Sequence, residues 1–354
     1  MLTHVKHARP VARSSKAARR HRAARWARVA IAAAAPVIAT GSVASPALAQ
    51  DAPSNYQFRT IDNQADPTFN QLLGINQDGL IAGYFGSGAM GHPNKGYLLV
   101  ARHGQARYLN ENWPESAQTQ VTGLNDRGVT VGFWSSTNNG GTTPVNDNRA
   151  FVSVRGSFID GDFPTDNPAS PPFDQLLGVN DHDIAVGFYN DGASPTNTHA
   201  YTFDIRRNRF NEVTPSGITN PTGAAINNQG DIAGFGTDAT SDSSNGQVVG
   251  YVLRRDGRVT VLNVSGSSQT QALGINDRDE VVGVYQVGTG DNAMMHGFTW
   301  TPARGFQTNV DDPAGMGATT LNGVNDRGQL VGFYTDSSGN VDGLLANPVH
   351  RHRG

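Results

Sequence analysis

The sequence predicts an all-β fold: a six-bladed β-propeller of four-stranded antiparallel blades, closed by an N-terminal strand. Three observations predict it. One motif recurs six times at a nearly fixed period, each copy divides into short strand-like runs, and the run missing from the last copy stands in front of the first. Repetition at about fifty residues with four strands per unit is the signature of a propeller blade.

The copies read LLGINQDGLIAGYF from Leu72, VTGLNDRGVTVGFW from Val121, LLGVNDHDIAVGFY from Leu176, GAAINNQGDIAGFG from Gly223, ALGINDRDEVVGVY from Ala272 and LNGVNDRGQLVGFY from Leu321. Their asparagines, Asn76, Asn125, Asn180, Asn227, Asn276 and Asn325, are 49, 55, 47, 49 and 49 residues apart. Seven positions after each stands a glycine: Gly83, Gly132, Gly187, Gly234, Gly283 and Gly332. Each copy thus gives an apolar strand, an Asn-Asp-x-Gly type of turn and a second strand. Short hairpins demand positive φ, which Asn, Asp and Gly tolerate, so the six asparagines are read as structural turn residues.

In the second strand, the residues six and eight after the asparagine share a face: Ala82 with Tyr84, Val131 with Phe133, Val186 with Phe188, Val331 with Phe333. The glycine between them points the other way, where a missing side chain admits an aromatic ring from a neighbouring sheet. A third strand opens on a small residue and usually an aromatic: Gly96-Tyr97, Ala150-Phe151, Ala200-Tyr201, Gly250-Tyr251, Gly297-Phe298 and Gly343-Leu344. A fourth follows a short turn such as Arg255-Asp256-Gly257, over 107–110, 158–160, 210–213, 259–263 and 306–310. The sixth copy has none. Residues 56–62, YQFRTID, match 306–311 in register and are expected to complete the last blade, because an open array would leave two unprotected sheet edges.

Residues 1–49 read as a signal peptide, with basic residues from Lys6 to Arg28, an apolar run from Val29 to Val37, and a small-residue cleavage site at Ala47-Leu48-Ala49. Pro36 interrupts the apolar run, which is too short for a stable membrane span. The propeller is assigned to 50–348 and a disordered tail to 349–354. Nine of the 27 lysines and arginines lie in the leader and none of the 30 acids does, so the mature chain carries 18 basic against 30 acidic side chains, a net −12. That sign disfavours nucleic acid and favours cations. The chain has no cysteine, so an exported product, secreted or held in the periplasm or cell envelope, must be stabilised by its core alone. A monomer is expected.

These residues resemble the bacterial extracellular HAF-repeat family, whose copies look like G-[IVL]-N-[DN]-x-G-x-[IV]-V-G-[FY] followed by a His-Ala-Phe element. The resemblance covers residues 56–346. All six copies keep the Asn and Gly, whereas the second element survives only as His199-Ala200-Tyr201 and His296-Gly297-Phe298, with Lys95, Arg149, Val249 and Asp342 in place of histidine elsewhere. The resemblance implies export and a repeat architecture. It implies no activity, substrate or cofactor.

From the asparagine to the third strand the spacing varies, at 19, 24, 19, 22, 20 and 17 residues, so the variable loops join strands two and three. They open on one rim and the tight turns on the other, and function gathers where length varies. Trp113, Trp134 and Tyr189 offer stacking faces for a sugar there, with His199 and His296 as polar partners. His92, His199 and His296 fall in alternate copies, but a decayed family element explains two of them better than a metal does, and no metal ligand is assigned. No cofactor is expected. Calcium at 336–343 is the candidate considered, and that stretch lacks the glycine placement and terminal acid of an EF-hand. No nucleophile elbow, zinc helix, phosphate loop or dinucleotide fingerprint occurs, so no catalytic residue is named. The expected function is a non-catalytic binding module for a polysaccharide, an envelope component or a protein. The alternative is a propeller hydrolase or lyase acting on sugars or lactones, which requires acids and histidines converging on the central channel. A purely structural envelope protein is the third reading.

Overall fold

Short apolar runs broken by Asn, Asp and Gly leave the chain no length for α-helices, and a computed structural model shows strands joined by turns. It describes residues 55–349 except 103–104, 139, 141–145, 193–196, 241–245 and 316. The leader read at 1–49, and the tail beyond Val349, lie outside these residues. No described helix is long and apolar enough to cross a membrane.

One strand, β1 (Tyr56–Ile61), precedes the first motif. The first copy forms β2 (Asn70–Ile75), β3 (Leu80–Phe85), β4 (Lys95–Arg102) and β5 (Gln105–Asn110); the second β6 (Gln118–Leu124), β7 (Val129–Ser135), β8 (Arg149–Val154) and β9 (Ser157–Asp160); the third β10 (Asp174–Val179), β11 (Ile184–Asn190), β12 (Thr198–Asp204) and β13 (Arg209–Val213). The fourth forms β14 (Ile218–Ile226), β15 (Ile232–Asp238), β16 (Val248–Leu253) and β17 (Val259–Leu262). The fifth forms β18 (Gln269–Ile275), β19 (Val281–Val287), β20 (Met294–Thr301) and β21 (Gly305–Gln307), and the sixth β22 (Thr319–Val324), β23 (Leu330–Thr335) and β24 (Val341–Pro348).

These strands make a β-propeller arrangement of four-stranded antiparallel blades, with one departure from the expected six separate sheets. Four sheets stand alone: β2 to β5, β6 to β9, β10 to β13, and β22 to β24 joined by β1. The other eight strands form one sheet, because a parallel pair, Val248 with Gln269, bridges β16 to β18. The same parallel contact recurs between other copies as isolated bridges, Phe69 with Val341, Asn148 with Phe173 and Met295 with Ala318. Only at Val248 does it fall inside two regular strands, and there it fuses the sheets. Strand β1 lies antiparallel to β24, with Phe58 opposite Ala346 and Ile61 opposite Gly343.

The motif glycine acts within its own sheet, not against a neighbouring one. Gly132 lies directly across from Phe151, Gly187 from Tyr201, and Gly234 from Tyr251. A Cβ on Gly132 would sit 2.9 Å from the Phe151 ring and 2.0 Å from the Gln120 carbonyl. The third-strand aromatic therefore folds over the glycine, and its hydroxyl, where present, reaches the first strand: Tyr251 Oη donates to the Thr222 carbonyl at 3.0 Å, and Tyr97 Oη to Asn70 Oδ1 at 2.6 Å. Tyr97, Phe151, Tyr201, Tyr251 and Phe298 are among the largest fully buried side chains.

Each asparagine does two jobs, and adopting positive φ is not one of them. The left-handed residue lies three positions on, at Gly79, Gly128, Asp183, Gly230, Asp279 and Gly328. Asn180 Oδ1 accepts the N–H groups of His182 and Ile184, at 3.0 and 3.1 Å, which tightens its own hairpin. Its Nδ2 donates to the backbone carbonyl of the next asparagine, Asn227, at 2.9 Å. This second bond repeats from Asn76 to Asn125, Asn125 to Asn180, Asn227 to Asn276 and Asn276 to Asn325, and Asn325 donates back to Asn76 at 3.0 Å. A second cycle runs through the following residues. The backbone N–H of Gln77, Asp126, Asp181, Asn228, Asp277 and Asp326 each finds the side-chain oxygen of the next, and Asp326 returns to Gln77.

Candidate binding face

Strands one and three of each copy run toward the side of the asparagine turns, and strands two and four run away from it. The opposite rim therefore carries the variable loops and the connections between copies. Charge separates between these two sides. By position in the strands and loops, the turn side holds most of the arginines, among them Arg127, Arg206, Arg254, Arg278 and Arg327, alongside acids such as Asp183, Asp231 and Asp279 that pair with them. The loop side holds the larger share of the carboxylates, and its described basic side chains are Lys95 and Arg149. The net negative charge of residues 50–354 is therefore largely the charge of one face.

The axis of that face is not an open channel. Leu73, Leu177, Leu273, Tyr84, Phe188 and Phe333 pack into one buried cluster, with Phe69 and Phe173 against it. Toward the turn side, a cavity of about 90 Å³ is lined by the ends of the first strands of all six copies. Gly74, Gly123, Gly178 and Gly323 let neighbouring first strands touch there: a Cβ on Gly178 would lie 2.9 Å from the Ala225 Cα.

Polar and aromatic groups lie around the rim. Trp113, in the connection after β5, and Trp134, in β7, stack with centroids 4.9 Å apart and planes at 4°. The Arg149 guanidinium stands 5.9 Å from the Trp134 centroid, opposite it across the β7–β8 pair. Its Nε lies 3.4 Å from Asp147 Oδ2 and its Nη1 3.6 Å from Asp162 Oδ2. Burial, then the neighbouring Asp160, pushes the Asp162 carboxyl up to about 7, against the pull of the Ala150 N–H and Arg149. The second copy thus gathers two half-buried indoles, a guanidinium and two carboxyls.

The remaining expected residues lie apart from that group and are more enclosed. Tyr189 is 5% exposed and stacked by two rings, Phe163 at 4.4 Å and His199 at 5.0 Å, while its hydroxyl donates to Glu212 Oε1 at 2.6 Å. That enclosure leaves no face for a sugar. His199 Nε2 lies 2.9 Å from Asp191 Oδ2, His296 Nδ1 2.6 Å from Asp311 Oδ2, and His92 Nδ1 2.8 Å from Asp66 Oδ2, so each histidine of the trio is bonded to a different carboxylate. In the 336–343 stretch, Asp336 Oδ1 accepts the N–H groups of Ser338 and Asn340, both at 2.8 Å, which makes that carboxylate a turn residue.

A regularity that the sequence reading misses ties these groups together. The residue nine after the motif asparagine lies directly across from the residue that precedes the small residue of the third strand: Trp134 from Arg149, Tyr189 from His199, Tyr285 from His296, Phe85 from Lys95. Where the first is Gly236, the second is Val249. An aromatic ring and a cationic or imidazole group form one cross-strand pair in four copies. The sixth copy departs from it, with Tyr334 across from Asp342, and only the strand register makes the pairing readable.

No protein-family model and no curated protein matches this chain. Among solved structures it is similar to a protein of unknown function from Dyadobacter fermentans, at 9% identity and a TM-score of 0.50, over 82% of this chain and 99% of that one. It is also similar to a sialidase from Trypanosoma rangeli, at 9% identity and a TM-score of 0.48, over 81% of this chain and 56% of that one. The β-propeller domain of the trilobed protease from Pyrococcus furiosus matches at 11% identity and a TM-score of 0.40, over 80% of this chain and 84% of that one. At these identities the likeness is one of fold alone.

Proposed function

We propose that this chain is an exported, monomeric propeller of six blades, with β1 completing the last of them, and that it is a non-catalytic binding module for a polysaccharide, an envelope component or a protein. Six blades are supported by the two hydrogen-bond cycles through six turns, and by the antiparallel strand order on each side of the Val248–Gln269 bridge. The HAF-repeat resemblance is part of the same reading.

The observation that carries the binding role is the contrast between the axis and the rim. A catalytic propeller concentrates its acids and histidines at the channel, whereas here apolar side chains fill the axis and the aromatic and polar groups spread over the loops. The Trp113–Trp134–Arg149 group is the best candidate contact, since a stacked indole pair presents edges and a cation presents donors to a sugar or a peptide. The test is a glycan-array and envelope-fraction screen of the mature chain beside Trp134→Ala. Binding that falls at least about tenfold in the variant supports the reading, a loss in the range of one aromatic anchor. No binding to any glycan or fraction favours the structural role.

One observation favours the enzymatic alternative. Asp162, held near neutrality as an acid, shares Arg149 with Asp147, and a carboxyl in that range suits a general acid in sugar cleavage. Turnover of a sugar or lactone that disappears in Asp162→Asn would decide for that alternative.

A further inference from the structure

On the turn side, where the sixth copy meets the first, the sheets leave a cavity of about 280 Å³. Buried Ile75, Ile81 and Leu345 line it beside Ala101, and the exposed Asp78 and Arg327 stand at its edge with Gly79 and Gln329. The strand register shows why the space opens. Ala101 holds the place in its third strand that Ile205, Arg255 and Pro348 hold in copies three, four and six. Ile205 packs into a cluster with Val129, Val152, Val179 and Ala185, the counterparts of Gln329, Leu345, Ile75 and Ile81. The Arg255 stem comes within 3.6 Å of a Cβ placed on Gly230, and Pro348 within 3.6 Å of one on Gly328. At Gly79, the equivalent glycine, the neighbours are polar: Arg327 Nη2 at 3.5 Å and Gln329 Oε1 at 3.9 Å. A methyl group at Ala101 leaves unfilled what a larger side chain fills elsewhere.

The same junction lacks a charge partner. Arg127, the counterpart of Arg327 in copy two, pairs with Asp183 of copy three at 3.1 Å. Gly79 stands in the place of Asp183, and neither Arg327 nor Asp78 enters an ion pair among the described residues. One Arg327 nitrogen donates to the Gln77 carbonyl, and a guanidinium has five N–H groups to offer. Gln329 is already bonded to Asn325 at 3.0 Å and to Asn347 at 2.8 Å, so it walls the cavity and leaves the polar contacts to the two charges.

We propose that this cavity binds a free amino acid with an aliphatic side chain of about the size of leucine. Its carboxylate pairs with the Arg327 guanidinium, its ammonium with the Asp78 carboxylate, and its side chain lies against Ile75, Ile81, Ala101 and Leu345. A guanidinium is the side chain best shaped to hold a carboxylate, and apolar burial of the ligand side chain adds to the affinity. The volume stands just under the roughly 300 Å³ at which small-ligand sites begin, which suits a ligand of that size. The cavity lies on the side opposite the rim contact of the proposed function and stands or falls independently of it.

The test titrates the full chain at neutral pH with leucine, with isocaproate, which lacks the ammonium, and with isoamylamine, which lacks the carboxylate, by calorimetry and thermal unfolding. We expect leucine to bind at a single saturable site and to raise the midpoint as its concentration climbs, with each analogue at least about tenfold weaker. Arg327→Gln and Asp78→Asn are each expected to weaken leucine at least about tenfold, the loss of one charged hydrogen-bonding partner. Ala101→Ile, which fills the space as Ile205 fills it in copy three, is expected to abolish binding while the ligand-free midpoint stays at or above that of wild type. Arg258→Gln, at another exposed arginine of the turn side, is expected to leave binding as it is. No leucine binding, or binding equal to wild type in Arg327→Gln, Asp78→Asn and Ala101→Ile alike, overturns the proposal. So does isocaproate or isoamylamine binding as tightly as leucine, since one charge then suffices. Should Ala101→Ile not fold, the two charge variants and the three ligands decide by the same criteria.

Discussion

Replacing Asn180 by alanine removes three hydrogen bonds at one buried point. Its Oδ1 loses the N–H groups of His182 and Ile184, and its Nδ2 loses the Asn227 carbonyl. His182 is exposed and its N–H turns to water, and the Asn227 carbonyl keeps a second donor in Gly230 N at 3.1 Å. The Ile184 N–H is left half-buried. At about 1 kcal/mol for each bond, with a further penalty for the stranded donor, the loss comes to about 3–4 kcal/mol. Urea unfolding reads it as a lower midpoint at unchanged slope. Asn211→Ala, on an exposed strand, serves as control. A loss below about 1 kcal/mol refutes the account of the asparagines as bonds between copies. The same substitution at Asn325 tests the closing link, because its amide reaches back to Asn76. It is expected to cost as much as Asn180→Ala, and a negligible cost at that one position refutes the cycle.

Three further outcomes are expected. Asp162, raised to about 7 when folded from an ordinary 3.8, holds its proton more tightly in the native state, so its stabilisation is present in full below about pH 4 and is lost as pH rises through 7. Wild type is therefore expected to melt at a higher temperature at pH 5 than at pH 8. Asp162→Asn, which keeps an oxygen for the Ala150 N–H, is expected to gain about 2 kcal/mol at pH 8 after discounting for partial exposure, and a loss there contradicts the assignment. Gly187→Ala places a Cβ 2.0 Å from the Gln175 carbonyl and is expected to cost more than about 3 kcal/mol or to prevent folding; a soluble variant with the wild-type midpoint refutes the packing argument. Gly156→Ala, in a turn with φ +82° and open space around it, is expected to cost only about 1 kcal/mol by the same measurement.

Much of the fold is legible in the sequence because β-structure writes its geometry into a period of two and its turns into a few residue types. Residues such as Leu72, Gly83 and Tyr84 recur at fixed separations, since every copy solves the same packing problem. The candidate binding face is less legible. Trp113 and Trp134 are visible as aromatic residues near variable loops, and the structure stacks them on each other. Tyr189 looks equivalent to Trp134 in sequence, yet Phe163, from the connection that follows the previous copy, covers it. Nothing in the local sequence announces that contact, because the two residues meet only when the connection folds back over the sheet.

The repeat, the strand order within a copy and the sign of the net charge can all be read from the chain, because each depends on residues close together or simply counted. Packing settles what remains. It turns six local turns into two cycles of hydrogen bonds, leaves the larger share of the acids on one side, fills the axis with apolar rings and pairs β1 with β24 across nearly the whole length of the described chain. Those are relations between copies, and a distance across copies is set by how sheets meet and not by any spacing along the chain.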